Sequence, residues 1–118
     1  MSGWHDVGAL ADVERRGRLV VRVNGRELGV LHDPQSGALH AVRNRCPHQG
    51  APLCLGVVAA RAHGAPGVYE LGADTVVRCP WHGWEFELAT GRCPEDATMR
   101  VATYPVRVED GRVLVAVG

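Results

Sequence analysis

The sequence predicts an all-β fold of antiparallel sheets. Short runs of apolar and β-branched residues recur along the chain, and turns rich in Gly, Asn, Asp and Pro separate them. Two of these turns, Asn24-Gly25 and Glu109-Asp110-Gly111, join neighbouring runs directly and are typical of β-hairpins. Regularly spaced short strands form a barrel or a sandwich. A chain of 118 residues has the length of one domain, so we expect a single domain over residues 1–118.

The first half of the chain predicts one short helix and three strands. Residues 7–16 can place their apolar side chains on one helical face. Strands are predicted at residues 18–23, 27–31 and 38–42. The first two should pair as a hairpin, because Asn24 and Gly25 accept the positive φ angles of a tight primed turn. A turn sequence at residues 33–37 precedes the third strand.

The second half predicts five further strands, at residues 68–71, 75–78, 84–88, 104–108 and 112–117. A Gly-Ala-Asp sequence at residues 72–74 indicates a turn between the first two of these strands. Residues 60–67 have the composition of a loop that leads to an added strand. The last two strands should form a closing hairpin around residues 109–111.

Composition and charge exclude several classes of function. The formal net charge is +0, all 13 basic residues are Arg, and no basic run predicts binding to nucleic acid or to a membrane surface. No apolar run approaches the ~20 residues that span a bilayer, and the first residues do not resemble a secretory signal. We therefore expect a cytoplasmic protein, in which four cysteines point to metal binding more than to disulfides.

Two short motifs combine Cys and His at metal-ligand spacing. Cys46 and His48 form a Cys-x-His motif, and Cys79 and His82 form a Cys-x-x-His motif, each in a turn rich in Gly and Pro that follows a predicted strand. Two thiolates and two imidazoles suit one tetrahedral zinc ion or two iron ions with unlike ligands. The spacing alone leaves both possibilities open.

The residues around these ligands resemble the paired motifs of Rieske proteins. Cys-Pro-His-x-Gly-Ala-Pro-Leu is followed by Cys-Pro-Trp-His-Gly-Trp, in the family's order. The resemblance covers most of the chain and implies a Rieske fold, with antiparallel sheets and two cluster-binding loops at one end. It implies one 2Fe-2S cluster, with Cys46 and Cys79 on the inner iron and His48 and His82 on the outer iron, near the protein surface. Residues 93–96 fall where the family's third loop covers the cluster.

Two departures from the family's patterns carry information. High-potential Rieske proteins have a disulfide between the motifs, but its positions are occupied here by Ala51 and Trp81. Those proteins also have a hydroxyl residue where this chain has Trp84, so the cluster receives fewer hydrogen bonds and its potential should lie in the low part of the Rieske range. The interval between the motifs is longer than in the related ferredoxins, and we expect the excess within residues 56–72 to form a partner surface.

We expect the remaining candidate residues to have ordinary structural roles. His5, His32, His40 and His63 have no ligand spacing and are expected to be surface or half-buried residues. Cys54 and Cys93 are expected to be small buried residues. Trp81 and Trp84 should pack beside the cluster loops. A set of acidic residues could dock a basic partner but more often faces water: Glu85, Glu87, Glu95 and Asp96.

Three functions follow from these residues and from the resemblance. The preferred interpretation is a ferredoxin that receives single electrons from a reductase and passes them to a terminal oxygenase. The second is a Rieske subunit or accessory chain bound to an oxidoreductase of the nitrite reductase or oxygenase type. The third is a structural zinc module. The chain is too short to add the mononuclear iron domain of an oxygenase, so we expect an electron-transfer protein and not an enzyme.

Overall fold

The computed structural model describes residues 3–47, 50–63, 70–81, 83–94, 96 and 98–117. Within these residues, strands dominate, as the sequence predicts. The elements in chain order are β1 (Trp4–Ala9), α1 (Leu10–Arg16), β2 (Arg18–Val23), β3 (Arg26–His32), β4 (Leu39–Arg43), a 3-10 turn (Leu53–Leu55), β5 (Val57–His63), β6 (Glu70–Arg78), β7 (Glu85–Glu87), β8 (Thr103–Tyr104), β9 (Val106–Glu109) and β10 (Arg112–Ala116).

The described strands form three antiparallel sheets, with the orders β1-β10-β9, β2-β3-β4-β8 and β5-β6-β7. The β2-β3-β4-β8 sheet lies between two cores, because alternate residues of its strands pack on opposite faces. Val30 and Ala41 belong to one core, whereas their chain neighbours Leu31 and Val42 belong to the other. Both faces of this sheet are therefore buried. This explains why four consecutive residues in the middle of β3 are buried, instead of every second residue.

The two cores differ in content. The first, called here the cysteine core, comprises Leu31, Val42, Cys46, Ala51, Leu53, Cys54, Val77, Cys79, Phe86, Leu88, Cys93 and Val101. The second, called here the valine core, comprises Val13, Val23, Leu28, Val30, Ala41, Val113, Val115 and Val117. The β5-β6-β7 sheet contributes to the first core, and α1 with the β1-β10-β9 sheet contributes to the second.

Both predicted hairpins are present, but the closing turn is one residue shorter than predicted, because Glu109 ends β9 and pairs with Arg112. Asn24 and Gly25 have φ angles of 51° and 77°, and the strands on either side pair in register from Val23 with Arg26. Asp110 and Gly111 have φ angles of 50° and 74° between β9 and β10. Two consecutive positive φ angles match the right-handed twist of the strands that a two-residue turn connects.

The prediction of a turn at residues 72–74 is wrong. β6 runs without a break from Glu70 to Arg78. Ala60 pairs with Thr75 and Ala62 pairs with Leu71. The Gly-Ala-Asp sequence therefore lies at an irregularity in the register of the β5-β6 pair and does not form a turn. The prediction of a loop at residues 60–67 is also wrong for residues 60–63, because β5 extends to His63. Residues 64–69, which include the start of the predicted strand at 68–71, lie outside the described residues.

The predicted helix is present but shorter than residues 7–16. It begins at Leu10, because the preceding residues pair with β10 as part of β1. It ends at Gly17, whose φ angle of 80° lets its N–H donate a hydrogen bond to the Val13 carbonyl. No helix within the described ranges combines the length and the apolar character needed to cross a bilayer.

A buried asparagine fixes the segment between β4 and Cys46. The Asn44 Oδ1 atom accepts a hydrogen bond of 2.7 Å from the Cys54 backbone N–H, and the Asn44 Nδ2 atom donates one of 2.6 Å to the Glu27 carboxylate. The Asn44 backbone N–H donates to the Glu27 carbonyl at 2.9 Å. One side chain thus ties this segment to β3 and to the 3-10 turn.

We expect Asn44→Ala to lower the free energy of unfolding by about 1–3 kcal/mol, because it leaves the buried Cys54 N–H without its acceptor. Urea denaturation measures this change. Gln35→Ala is the control, since Gln35 is an exposed turn residue whose amide donates one hydrogen bond to the Thr75 hydroxyl, and that hydroxyl keeps its own bond to Asp33. If the two variants were equally stable, Asn44 would not have the structural role assigned to it.

Candidate metal centre

The two predicted cysteine ligands lie in one core, each shortly after the end of a strand. Cys46 follows β4 and Cys79 follows β6 directly. Both side chains belong to the cysteine core, and only 1% of Cys46 and 3% of Cys79 is exposed. Residues from two separate strand ends are therefore brought to the same buried region.

The loops that begin at these cysteines are closed by the same pair of hydrogen bonds. In the first loop, the Gly50 N–H donates to the Cys46 carbonyl at 2.7 Å, and the Cys46 N–H donates to the Ala51 carbonyl at 2.8 Å. In the second loop, the Gly83 N–H donates to the Cys79 carbonyl at 3.0 Å. The Cys79 N–H donates to the carbonyl of Trp84 at 2.7 Å. The backbone of each cysteine is thus fully hydrogen-bonded within its own loop.

Glycine is required at the closing position of each loop. The φ angles of Gly50 and Gly83 are 77° and 73°, a region that residues with a Cβ atom adopt at a cost. Both glycines lie four residues after a cysteine. Cys-x-His and Cys-x-x-His therefore occur in loops of equal length, although their ligand spacings differ by one residue.

The loops lead from the buried core to the protein surface. Pro47, Pro80 and Gly83 are exposed, and 56% of Trp81 is exposed. His48 and His82 lie outside the described residues, and their role as ligands stays a prediction. The residues on both sides of position 82 are exposed, as is the residue before position 48. The expectation that Trp84 packs beside the loop is met, because it packs against the cysteine core.

The predicted third loop contributes Cys93 to the same core. The Cys93 N–H donates to the Met99 carbonyl at 3.3 Å, and the Met99 N–H donates to the Asp96 carbonyl at 3.0 Å. These bonds close a compact turn. Glu95, from the same predicted loop, lies outside the described residues. Its role as a cover for the cluster stays a prediction.

Cys54 is a small buried residue, as predicted. It is fully buried, and its Sγ atom donates a hydrogen bond of 3.5 Å to the Val42 carbonyl. A Cβ atom at Gly29 would lie 2.5 Å from this sulfur, so the side chain fills the space beside the β3 backbone. Burial raises the pKa of the Cys54 thiol to about 12, which keeps it protonated and a poor metal ligand.

The other candidate residues have local roles. His5, His32 and His40 lie in strands and are half-buried, and burial lowers the pKa of His40. His63 ends β5. Glu85 forms an ion pair of 3.1 Å with Arg78, and the Glu87 carboxylate accepts a hydrogen bond from the Thr90 hydroxyl.

Two arginines beside the loops were missed by the sequence reasoning. Arg45 and Arg78 directly precede the two cysteines, in an Arg-Cys-Pro sequence that also occurs a third time at residues 92–94. A Cβ atom at Gly50 would lie 3.5 Å from the Arg45 guanidinium carbon, and one at Gly83 would lie 3.9 Å from Arg78 Cδ. Each arginine therefore lies alongside the glycine that closes its loop.

The donor chemistry and the burial fit an iron–sulfur cluster. A thiolate is costly in an apolar core unless a cation balances its charge. Cys46 and Cys79 both occupy such a core, at the bases of two loops that open to the surface. Two buried sulfur donors, each followed in the sequence by a histidine within three residues, suit a cluster whose two irons have unlike ligands.

Comparison with known proteins gives the same class. The family model for the Rieske-like 2Fe-2S domain matches residues 3–116. The ferredoxin component of the naphthalene 1,2-dioxygenase system of Pseudomonas aeruginosa is 29% identical, over 95% of this chain and 93% of that protein. A structure of a proposed NADH-dependent nitrite reductase small subunit from Mycobacterium tuberculosis is 26% identical with a TM-score of 0.83, over 100% of this chain and 97% of that chain.

Other relatives are much longer. Oxidoreductase NdmD of Pseudomonas putida is 29% identical over 98% of this chain, but the match covers only 18% of NdmD. The match to 4beta-methylsterol monooxygenase of Methylococcus capsulatus, at 32% identity over 96% of this chain, covers 30% of that protein. The chain thus spans less than a third of these two relatives.

A fold of antiparallel sheets in which two loops place their cysteines in one buried core is typical of an iron–sulfur domain. The chain belongs to the Rieske-like 2Fe-2S domain family. Its cofactor is one 2Fe-2S cluster with two Cys and two His ligands. The predictions of an antiparallel all-β Rieske fold and of this cofactor are confirmed, and the zinc interpretation is not supported.

We expect Cys54→Ser to retain the iron content and the visible colour of the protein, because the serine hydroxyl can still donate to the Val42 carbonyl. In the native protein at about pH 8, the Cys54 thiol should resist iodoacetamide, since only the thiolate reacts readily. Mass spectrometry of the digested protein measures this modification, and prior unfolding in urea is the positive control. A colourless Cys54→Ser variant would contradict the exclusion of Cys54 from the ligand set.

Proposed function

We propose that this protein is a Rieske-type ferredoxin whose cluster is bound by Cys46, His48, Cys79 and His82. The observation that supports this assignment most is the pair of loops with the same closing hydrogen bonds, each of which buries its cysteine and exposes the proline that follows it. Such loops can shield the cysteine sulfur atoms from water and present histidine ligands at the protein surface. The protein then transfers single electrons as a component of an oxidoreductase system and is not an enzyme by itself.

The chain's own residues protect and position the electron-transfer centre. When bound, the cluster supplies reversible uptake of one electron. Cys46 and Cys79 supply two thiolates from a core that the fully buried Phe86 and Leu53 help to keep free of water. The loop-closing hydrogen bonds hold both cysteine backbones in place, so that a change in redox state requires little movement of the protein.

The partners that suit this function are a reductase, which supplies the electron, and a terminal oxygenase, which receives it. The similarity to a ferredoxin component over nearly the full length of both chains supports this assignment. A cytoplasmic location stays a prediction. The low potential also stays a prediction, and Trp84 at the expected hydroxyl position is its basis.

A second candidate is a permanently bound subunit of a nitrite reductase type of enzyme. The TM-score of 0.83 with the mycobacterial structure favours it. Affinity purification from the native host, followed by a wash at high salt, distinguishes the two functions. A carrier should be recovered alone, whereas a subunit should be recovered with a larger enzyme chain in fixed proportion.

The purified protein should be red-brown and contain two irons and two acid-labile sulfides per chain. We expect His48→Ala and His82→Ala each to lose most of this iron, because the outer iron lacks one ligand and is exposed to water. His5→Ala is the matched control, since His5 lies in β1, and it should keep the full iron content. Iron retained by either loop variant, or a colourless wild-type protein with bound zinc, would contradict the proposed site.

A further inference from the structure

A basic cleft lies beside the first cysteine loop. It has a volume of about 250 Å³ and is lined by Arg22, Gly25, Glu27, Arg43, Asn44, Arg45 and Gly50. The three arginines come from β2, from β4 and from the residue before Cys46. All three are exposed, and no salt bridge within the described residues involves them. The cleft therefore presents guanidinium groups that can bind carboxylates.

The acidic groups near this cleft do not cancel its charge. Glu27 is the acidic residue of the lining, and its carboxylate already accepts a hydrogen bond from Asn44. Three arginines and one glutamate leave the cleft with an excess of positive charge. Because the formal net charge of the whole chain is +0, this excess is a local feature and other surfaces must carry the opposite excess.

The cleft adjoins the first of the two proposed cluster-binding loops. Gly50 closes the first cysteine loop and also forms one wall of the cleft. The Arg45 guanidinium lies against this glycine. A negatively charged group held by Arg45 would therefore lie beside the loop that carries the first pair of proposed ligands.

An exposed apolar surface borders the second cysteine loop. Leu55, Val57 and Trp81 are 60%, 61% and 56% exposed, and exposed apolar residues that cluster on one surface mark interaction sites. Leu55 and Val57 line a cavity of about 280 Å³ together with residues of the second loop. The segment that contains Leu55 also follows the first loop directly, so it connects the two loops. Apolar residues next to charged groups are typical of protein–protein interfaces.

We infer that the arginine cleft and this apolar surface together form the docking face for an acidic redox protein. This inference rests on the proposed function and adds the chemistry of the partner. The partner presents carboxylates to Arg22, Arg43 and Arg45 and an apolar patch to Leu55, Val57 and Trp81. The arginines steer the encounter at long range, and the apolar contacts bring the partner close to the loop tips.

Two small oxidants of opposite charge test the steering of the holoprotein. The reduced protein is mixed in a stopped-flow instrument with anionic ferricyanide or with the cationic tris(phenanthroline)cobalt(III) complex. In Arg43→Gln/Arg45→Gln, we expect the ferricyanide rate to fall about three- to tenfold at roughly 10 mM ionic strength. The rate with the cobalt complex should rise, and both differences should disappear at roughly 1 M salt.

The control variant is Arg15→Gln/Arg16→Gln, which removes the same charge from α1. These arginines are exposed, and α1 packs on the valine core, on the other side of the middle sheet from the cysteine loops. The control should leave both rates within about twofold of wild type. A change in redox potential would move the two rates in the same direction, so opposite changes identify a change in local charge.

Three results would overturn the inference. Equal effects of the two double variants would mean that the cleft does not steer electron transfer, although the proposed function would stand. Saturable binding of inorganic pyrophosphate but not of poly-L-glutamate, measured by calorimetry, would make the cleft a site for a small anion. A purified protein without a cluster would overturn the proposed function and this inference with it. Binding of poly-L-glutamate that is lost in Arg43→Gln/Arg45→Gln supports an acidic protein partner.

Discussion

The burial of the two proposed cysteine ligands, Cys46 and Cys79, is the constraint on which the rest of this structure depends. An apolar core tolerates a thiolate only when a bound cation balances its charge, so Cys46 and Cys79 can act as thiolate ligands in this core only together with a metal group. That core must be covered by secondary structure. The β2-β3-β4-β8 sheet packs on one side of it, and the β5-β6-β7 sheet with its loops packs on the other side. The same middle sheet then needs cover on its opposite face, which α1 and the terminal strands provide.

The sequence predicted those features that depend on local chemistry. Asn24-Gly25 fixed the first hairpin because few other residue pairs accept two positive φ angles. The cysteine motifs were recognisable because metal ligands need particular residue types at short spacing, and residues 3–116 match the family that they indicated. The burial of Cys54 was also predicted, because cysteine packs as a small apolar residue when it binds no metal.

Features that depend on distant contacts could not be read from the sequence. Gly72, Ala73 and Asp74 have turn propensity, but pairing with β5 carries β6 through them as a continuous strand. β1 was missed because its residues owe their extended form to pairing with β10 at the other end of the chain. Asn44 carried no motif signal either, since its importance comes from contacts with Glu27 and Cys54. The arginine cleft likewise unites residues from separate strands.

The central claim is that two histidines and two cysteines hold one 2Fe-2S cluster between these loops. Pulsed electron paramagnetic resonance of the reduced protein, produced with 15N-labelled histidine, measures the ligand atoms directly. Nitrogen ligation predicts couplings from two histidine nitrogens that change with the isotope. A spectrum that shows no change on labelling would contradict the account, because it would mean that no histidine binds the cluster.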